Sequence, residues 1–180
     1  MKFLSKTCVM IDLETLSTCP DAAILSIGAC KFKFDSEIYS KFYINVDPRD
    51  CKAHGLRIEK DAIDWWAKQS QEARDAFKDP KPVSLEDALS ALTAWWNEDA
   101  VEKSPISNGA GFDIPILEIA YKKLGRATPW KYYNVLCFRT ILTLLDLNNN
   151  KIRKAEKELT HHNALSDSIS QTNTLIGAFK

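Results

Sequence analysis

The sequence has neither a long apolar run nor a pattern of cysteines that would suggest disulfide bonds. No apolar stretch reaches the roughly 20 residues that a membrane-spanning helix needs. Charge interrupts the start, MKFLSK, too early for a signal peptide. The five cysteines are an odd number without a Cys-x-x-Cys pair, which favours reduced thiols. We therefore expect a soluble, cytoplasmic protein with no membrane association.

An excess of charge of either sign is also missing. The chain has 24 basic and 24 acidic residues, so the net charge does not mark it as a nucleic-acid-binding protein. This argues only weakly against such a partner, because a bound metal offsets charge locally. The 180 residues, 45% hydrophobic and 27% charged, are typical of a globular domain. Because no repeat, low-complexity tract or linker divides them, we expect a single domain over residues 1–180.

Hydrophobic periodicity predicts strands at the start of the chain and an alternation of helices and strands afterwards. The predicted strands are 8–15, 22–34, 38–46, 101–107 and 132–137, of which the first three form an antiparallel unit. The predicted helices are 61–77, 85–96 with Ser84 as N-cap, 112–124, 138–147 and a last one that ends at Phe179. This order predicts the α/β class, with a mixed central β-sheet flanked by α-helices.

Two acids lie one residue apart at the end of the first predicted strand. Alternate side chains of a strand point to the same face, so Asp12 and Glu14 emerge side by side. Two neighbouring carboxylates repel each other unless a cation lies between them, which suggests Mg²⁺ or Mn²⁺. A half-buried strand whose polar face carries two acids explains this stretch equally well.

Further acids and a histidine lie where other elements begin. Asp113 follows Asn108-Gly109-Ala110-Gly111-Phe112, whose small residues let the backbone approach a bulky group, and Asp167 lies five residues after His162. Helix capping explains Asp113 or Asp167 taken singly, and a solvated or cap-bound side chain explains His162. Neither explains why four acids and a histidine all lie at element boundaries.

These residues carry a resemblance to a known family. Asp12-x-Glu14-Thr15, Asn108-x-x-x-Phe112-Asp113 and His162-x-x-x-x-Asp167 resemble, in order and spacing, the three motifs of the DEDDh 3′–5′ exonucleases. That family includes ribonuclease T and the proofreading subunits of DNA polymerase III. The segment from Ile63-Asp64-Trp65-Trp66 to Arg74 resembles a small branch with a mycobacterial-type exoribonuclease and a T4-like phage exonuclease.

The resemblance implies a ribonuclease H-like fold and hydrolysis of nucleic acid from its 3′ end by a two-metal mechanism, with release of nucleoside 5′-monophosphates. Two ions, Mg²⁺ or Mn²⁺, about 4 Å apart, would be held by Asp12, Glu14, Asp113 and Asp167. His162 would be the general base, with His161 as the neighbouring alternative. Many relatives have an acid where this chain has Cys137, so a supporting role at that position does not carry over.

The expected substrate contacts are spread over the same motifs. They are Leu13, Thr15 at the 3′ end, Leu16 as a wedge against a base, Trp66, Phe112 and Arg139. Adjacent tryptophans on a helix point in different directions, so at least one of Trp65 and Trp66 is expected in the core, whereas Trp95 and Trp96 both have core spacing. The expected partner is a single-stranded 3′ end, and a homodimer is possible on the resemblance alone.

Two other functions remain open from the residues. A nucleic-acid-binding or scaffold protein on the same fold would have no use for four converging carboxylates. A metal-dependent enzyme acting on small nucleotides would need a closed pocket rather than an open groove. The sequence does not distinguish RNA from DNA, because no residue identifies itself as a contact to the 2′-hydroxyl.

Overall fold

A computed structural model of the chain describes residues 5–75, 81–145 and 162–179. One five-stranded sheet has the order β3-β2-β1-β4-β5. The strands are β1 (Thr7–Thr15), β2 (Ile24–Lys33), β3 (Ser40–Asn45), β4 (Lys103–Ser107) and β5 (Leu136–Cys137). The helices are α1 (Pro48–Ala53), α2 (Lys60–Ala67), α3 (Gln71–Asp75), α4 (Leu85–Trp96), α5 (Asp113–Lys123), α6 (Phe138–Leu144) and α7 (Ala164–Ala178), with a 3₁₀ turn at Tyr132–Asn134. The predicted α/β class with a mixed, helix-flanked sheet is confirmed.

The central strand β1 separates two apolar cores. Its odd-numbered residues, such as Val9 and Ile11, pack in the larger core, whereas Cys8 and Met10 pack in a smaller one. The even-numbered row then continues beyond the smaller core with Asp12. Asp12 and Glu14 therefore lie on the same face of β1 as Cys8 and Met10, nearer the carboxyl end of the strand.

Strand direction brings two further element boundaries to the acidic end of β1. β2 and β3 are antiparallel to their neighbours, whereas β4 runs parallel to β1 and β5 runs parallel to β4. The carboxyl ends of β1, β4 and β5 therefore lie at one edge of the sheet. The segment that leads from Ser107 to Asp113 and the start of α6 both emerge there.

Local sequence accounts for the boundaries of the helices. Ser84 accepts a hydrogen bond from the backbone N–H of Asp87 at 3.1 Å and caps α4 as predicted. Pro115 lies in the first turn of α5, where its missing N–H leaves no intrahelical bond unmade, and Gly125 follows the helix with φ +66°.

Several predicted elements differ in extent from the structure. The short helix α1, which begins at Pro48, was not predicted, and the helix expected over 61–77 is two helices separated at residues 68–70. The strand expected over 132–137 is reduced to its last two residues, because Tyr132–Asn134 form the 3₁₀ turn. Residues 76 and 77 of the helix expected over 61–77, the end of the helix expected to reach 147 and His161 lie outside the described residues.

Helix α7 lies unusually close to the sheet at one residue. A Cβ atom added to Gly28 of β2 would lie 2.1 Å from the backbone carbon of Ala164, where α7 begins. Gly28 is the cross-strand partner of Asp12. The absence of a side chain there allows the start of α7 to rest beside the acidic end of β1.

Within the described ranges, none of the helices has both the length and the apolar character needed to cross a membrane.

Candidate active site

Three carboxylates from opposite ends of the chain meet beside β1. Asp12, Glu14 and Asp167 each present an oxygen within 4.8 Å of the others. Asp12 and Glu14 share a face of the strand, whereas Asp167 lies in the first turn of α7. The start of α7 can pack against that face because Gly28 has no side chain. The spacing within the sequence gives the first pair, and tertiary packing supplies the third member.

The start of α7 also fixes the position of His162. The side chain of Asn163 caps the helix by accepting from the backbone N–H of Ser166 at 3.0 Å. His162 precedes the cap with φ +69°, and its backbone N–H donates to Asp167 Oδ2 at 3.3 Å. Its imidazole packs against the rings of Trp65 and Trp66. The histidine backbone is therefore bonded to an acid of the cluster.

The fourth predicted acid, Asp113, lies beside the cluster at the start of α5. Its Oδ1 accepts from the backbone N–H of Leu13 at 3.1 Å, which joins α5 to β1 between the two strand acids. Arg139, at the start of α6, donates to Asn108 Oδ1 at 3.1 Å. Burial raises the pKa of Asp113, and the charge of this guanidinium opposes part of that rise. The structure therefore brings all four predicted acids and His162 to one edge of the sheet.

Burial and mutual repulsion raise the pKa values of the two strand acids, Asp12 and Glu14. Burial raises the pKa of Asp12 well above its ordinary value, and the charges of Asp113, Glu14 and Asp167 raise it further, against a hydrogen bond from Gln171. Burial, followed by the charges of Asp167 and Asp113, raises the pKa of Glu14 to about 8. The dominant causes are therefore desolvation and like charge, both of which a bound cation would relieve.

Asp113 is shifted in the same direction for one main reason. Burial raises its pKa to about 7, whereas hydrogen bonds from backbone N–H groups, including that of Leu13, and from Ser107 oppose the rise. A carboxyl that accepts such bonds is stabilised in its charged form. Asp113 is therefore the acid whose charge the surrounding protein supports most directly.

The donor set fits hard divalent cations. All of the clustered side chains offer carboxylate oxygens, the ligands that Mg²⁺ and Mn²⁺ prefer. Among the described residues, Glu14 Oε1 has no hydrogen-bond partner although it is buried. A buried oxygen left in this state is costly unless something outside the chain binds it.

An aromatic groove of about 520 Å³ begins at the cluster and follows one side of α2. Glu14 lies at its acidic end, Leu13, Phe112 and the two tryptophans form apolar walls, and Glu59 lies in the polar part. A flat, hydrophobic ring such as a nucleobase would fit between such walls. The groove is partly open to solvent.

The predicted substrate contacts are divided by the structure into two groups. Leu13, Thr15, Trp66 and Phe112 line the groove. The Thr15 hydroxyl donates to the Ser17 carbonyl at 2.7 Å. Arg139 is exposed beside Asn108 rather than in the groove.

Leu16 is not brought to the groove, contrary to the expectation that it wedges a base. Its side chain lies in the larger core, with 9% exposed. The physical reason is the turn of the backbone after β1: the N–H of Leu16 donates to Ala23 and its carbonyl accepts from Glu59, so the side chain points inward.

Sequence reasoning missed two residues and did not show which of two tryptophans is the more exposed. Gln171 donates from Nε2 to Asp12 Oδ1 at 3.0 Å, and its signal was its position four residues after Asp167 on the same helix face. The signal for Gly28 was a lone glycine inside a strand pattern. Trp65 is 44% exposed and Trp66 only 8%, so Trp65 offers the larger aromatic surface.

The comparison with known families agrees with this arrangement. A model of the 3′–5′ exoribonuclease Rv2179c-like domain matches residues 7–176. The chain belongs to the Rv2179c-like family. The match runs from the first residue of β1 to the last turn of α7, so it includes every acid of the cluster.

One curated relative of this Rv2179c-like domain comes from a phage. An exodeoxyribonuclease of enterobacteria phage T4 is 28% identical over 120 residues, which is 60% of this chain and 52% of the phage protein. The chain thus spans about half the length of that relative.

Solved structures show the same fold as this Rv2179c-like domain. E. coli exonuclease I with a dT13 oligonucleotide aligns with a TM-score of 0.67 at 13% identity, over 96% of this chain and 40% of that one. A zinc-bound form of that enzyme with single-stranded DNA aligns with a TM-score of 0.65 at 14% identity, over 94% of this chain and 39% of that one. The nuclease domain of 3′hExo, a DEDDh family member bound to rAMP, aligns with a TM-score of 0.62 at 14% identity, over 97% of this chain and 90% of that one. The expected ribonuclease H-like fold is confirmed.

Proposed function

We propose that this protein is a metal-dependent 3′–5′ exonuclease that hydrolyses single-stranded nucleic acid from its 3′ end and releases nucleoside 5′-monophosphates. The observation that carries the proposal is the convergence of Asp12, Glu14 and Asp167, with Asp113 and His162 beside them, at the mouth of an aromatic groove. Family membership and the likeness in fold to exonucleases bound to oligonucleotides support the same activity.

The four acids would hold two divalent cations, Mg²⁺ or Mn²⁺. Asp12 lies centrally, since Asp113, Glu14 and Asp167 all act on its charge, and it would be a ligand shared by the whole site. The ions would stabilise the negative charge that develops on the attacking and leaving oxygens of the phosphodiester. Gln171, bonded to Asp12 Oδ1, would orient that carboxylate.

His162 would take the proton from the attacking water. An imidazole can accept a proton near neutral pH, and a positioned general base contributes about 10²- to 10⁴-fold to a rate. The backbone bond from His162 to Asp167 keeps the histidine beside the carboxylates where the water would be bound.

The groove would hold the terminal nucleotide. Its apolar walls suit the faces of a base, and its open side suits a strand that continues away from the scissile bond. The alternative of a catalytically idle nucleic-acid-binding protein gives no account of the convergence of Asp12, Glu14 and Asp167.

The test is digestion of matched RNA, single-stranded DNA and duplex DNA, each labelled at the 5′ end, with Mg²⁺, Mn²⁺ or EDTA. We expect stepwise shortening from the 3′ end with either metal and none with EDTA. Asp12→Ala and Asp113→Ala should abolish hydrolysis with the fold intact by circular dichroism, and His162→Ala should slow it about 10²- to 10⁴-fold. Activity in excess EDTA, or full activity of either aspartate variant, would refute the two-metal mechanism. The relative rates on the three substrates decide between RNA and DNA.

A further inference from the structure

The imidazole of His162 lies against a pair of tryptophans from a helix far away in the sequence. The centroid of its ring is 4.8 Å from that of Trp65 with an interplanar angle of 85°, and 5.9 Å from that of Trp66 with an angle of 84°. Both are edge-to-face arrangements, the geometry that aromatic rings favour. The closer contact is with Trp65.

The tryptophan pair is itself anchored to the strand that carries the acids. Trp66 is buried, and its indole Nε1 donates to the Thr15 carbonyl at 2.9 Å, next to Glu14. Trp65 packs edge-to-face on Trp66 with centroids 4.9 Å apart. The orientation of Trp65 is therefore set by β1 through Trp66.

The two ends of His162 are held by different parts of the fold. Its backbone N–H bonds to Asp167 of α7, whereas its ring rests on α2 through Trp65. A backbone bond fixes where the residue starts but leaves the side-chain torsions free to choose among rotamers. The contact with an anchored indole restricts that choice.

We propose that Trp65 is a positioning residue that holds the His162 imidazole in the orientation needed for proton transfer. The inference rests on the proposed function, in which His162 is the general base. It assigns to Trp65 a role distinct from that of a groove wall: the indole acts on the rate of the chemical step through the histidine, not only on the affinity for a base. Misplacement of a catalytic group by about 1 Å can cost roughly 10²-fold in rate.

The expected kinetic result is a loss in kcat. Edge-to-face aromatic pairs favour one arrangement by a factor of roughly two to twelve. Trp65→Ala should therefore lower kcat about tenfold on the preferred oligonucleotide with saturating metal. Trp65→Phe, which keeps an aromatic ring, should recover most of that loss. An increase in KM with unchanged kcat in Trp65→Ala would overturn the proposal, because it would show that Trp65 contributes only to substrate binding as a wall of the groove.

A double-mutant cycle separates action through the histidine from any other effect. If Trp65 acts through His162, adding Trp65→Ala to His162→Ala should lower kcat no further. An additional tenfold loss in the double variant would contradict the proposal. Tyr132→Ala is the matched control, since Tyr132 is 82% exposed and lies in the 3₁₀ turn before β5, and it should leave kcat and KM unchanged.

A measurement without substrate distinguishes failure of this inference from failure of the proposed function. The ring resonances of His162 in the metal-free protein, assigned by their loss in His162→Asn, should shift in Trp65→Ala and stay in place in Tyr132→Ala. Unchanged resonances in Trp65→Ala would refute the contact. If the wild-type protein hydrolyses nothing, the proposed function and the catalytic role of Trp65 fail together, whatever the resonances show.

Discussion

Replacing Gly28 by alanine should damage the candidate active site without removing any of its side chains. The new Cβ would lie 2.1 Å from the backbone carbon of Ala164 and 2.2 Å from the backbone nitrogen of Leu165, whereas ordinary contact begins at 3.4 Å. Because the obstacle is backbone, the start of α7 has to retreat by about 1.3 Å, the difference between 2.1 and 3.4 Å. Asp167, in the first turn of α7, moves with it.

The size of this movement determines the expected loss. The oxygens of Asp12, Glu14 and Asp167 lie within 4.8 Å of one another, so a retreat of about 1.3 Å takes one ligand out of the set. Mg²⁺ requires near-ideal octahedral distances of about 2.1 Å and tolerates such a change poorly. We expect Gly28→Ala to lose about 10²-fold in kcat/KM. Overpacking should also lower the free energy of unfolding by about 1–3 kcal/mol.

The assay is the initial rate on an end-labelled oligonucleotide as a function of metal concentration, with metal affinity measured by calorimetry. Gly177→Ala is the matched control, because it makes the same chemical change in α7 where an added Cβ meets nothing within 4 Å. Asp167→Glu adds one methylene, about 1.5 Å of reach, and should restore part of the metal affinity only in the Gly28→Ala background. A Gly28→Ala protein with wild-type metal affinity and rate would refute this account of how α7 completes the site.

Two further predictions concern stability. The pKa of Glu14 is raised from 4.5 to about 8, so its contribution to the stability of the metal-free protein is fully present below about pH 4.5 and is lost as the pH rises through 8. The melting temperature measured in EDTA should therefore fall from pH 5 to pH 8, and it should fall less steeply in Glu14→Gln. Added Mg²⁺ should reverse the fall. A melting temperature that rises over this pH range would contradict the assignment. Ser84→Ala removes the cap of α4 and should lower the free energy of unfolding by about 1 kcal/mol in urea titrations. The same variant should leave hydrolysis unchanged, since the cap is remote from the acids.

Elements with a strong local signal could be predicted from the sequence. The alternation in β1 placed Asp12 and Glu14 on one face, and the capped, periodic segment after Ser84 gave α4 its observed bounds. Short elements were harder, because α1 has six residues and β5 has two, too few for a period to appear.

Features that depend on contacts between distant segments could not be predicted. Lys31 alternates with Phe32 and Phe34 in the sequence, a pattern typical of a polar face, yet it is 1% exposed. Its ammonium donates to the Trp95 carbonyl at the end of α4 and pairs with Glu98 at 3.5 Å, which satisfies a buried charge at a helix C-terminus. Likewise, the sequence could not show that Trp66 is the more buried of the two adjacent tryptophans, because its burial depends on packing against β1, where its indole Nε1 donates to the Thr15 carbonyl.

The bond between Gln171 and Asp12 spans 159 positions of the chain. During synthesis, β1 leaves the ribosome long before α7 does, at about 5–20 residues per second. In the interval the nascent chain has Asp12 and Glu14 but neither Asp167 nor His162. The cluster of Asp12, Glu14 and Asp167 is therefore incomplete in the nascent chain until α7 has docked against β1.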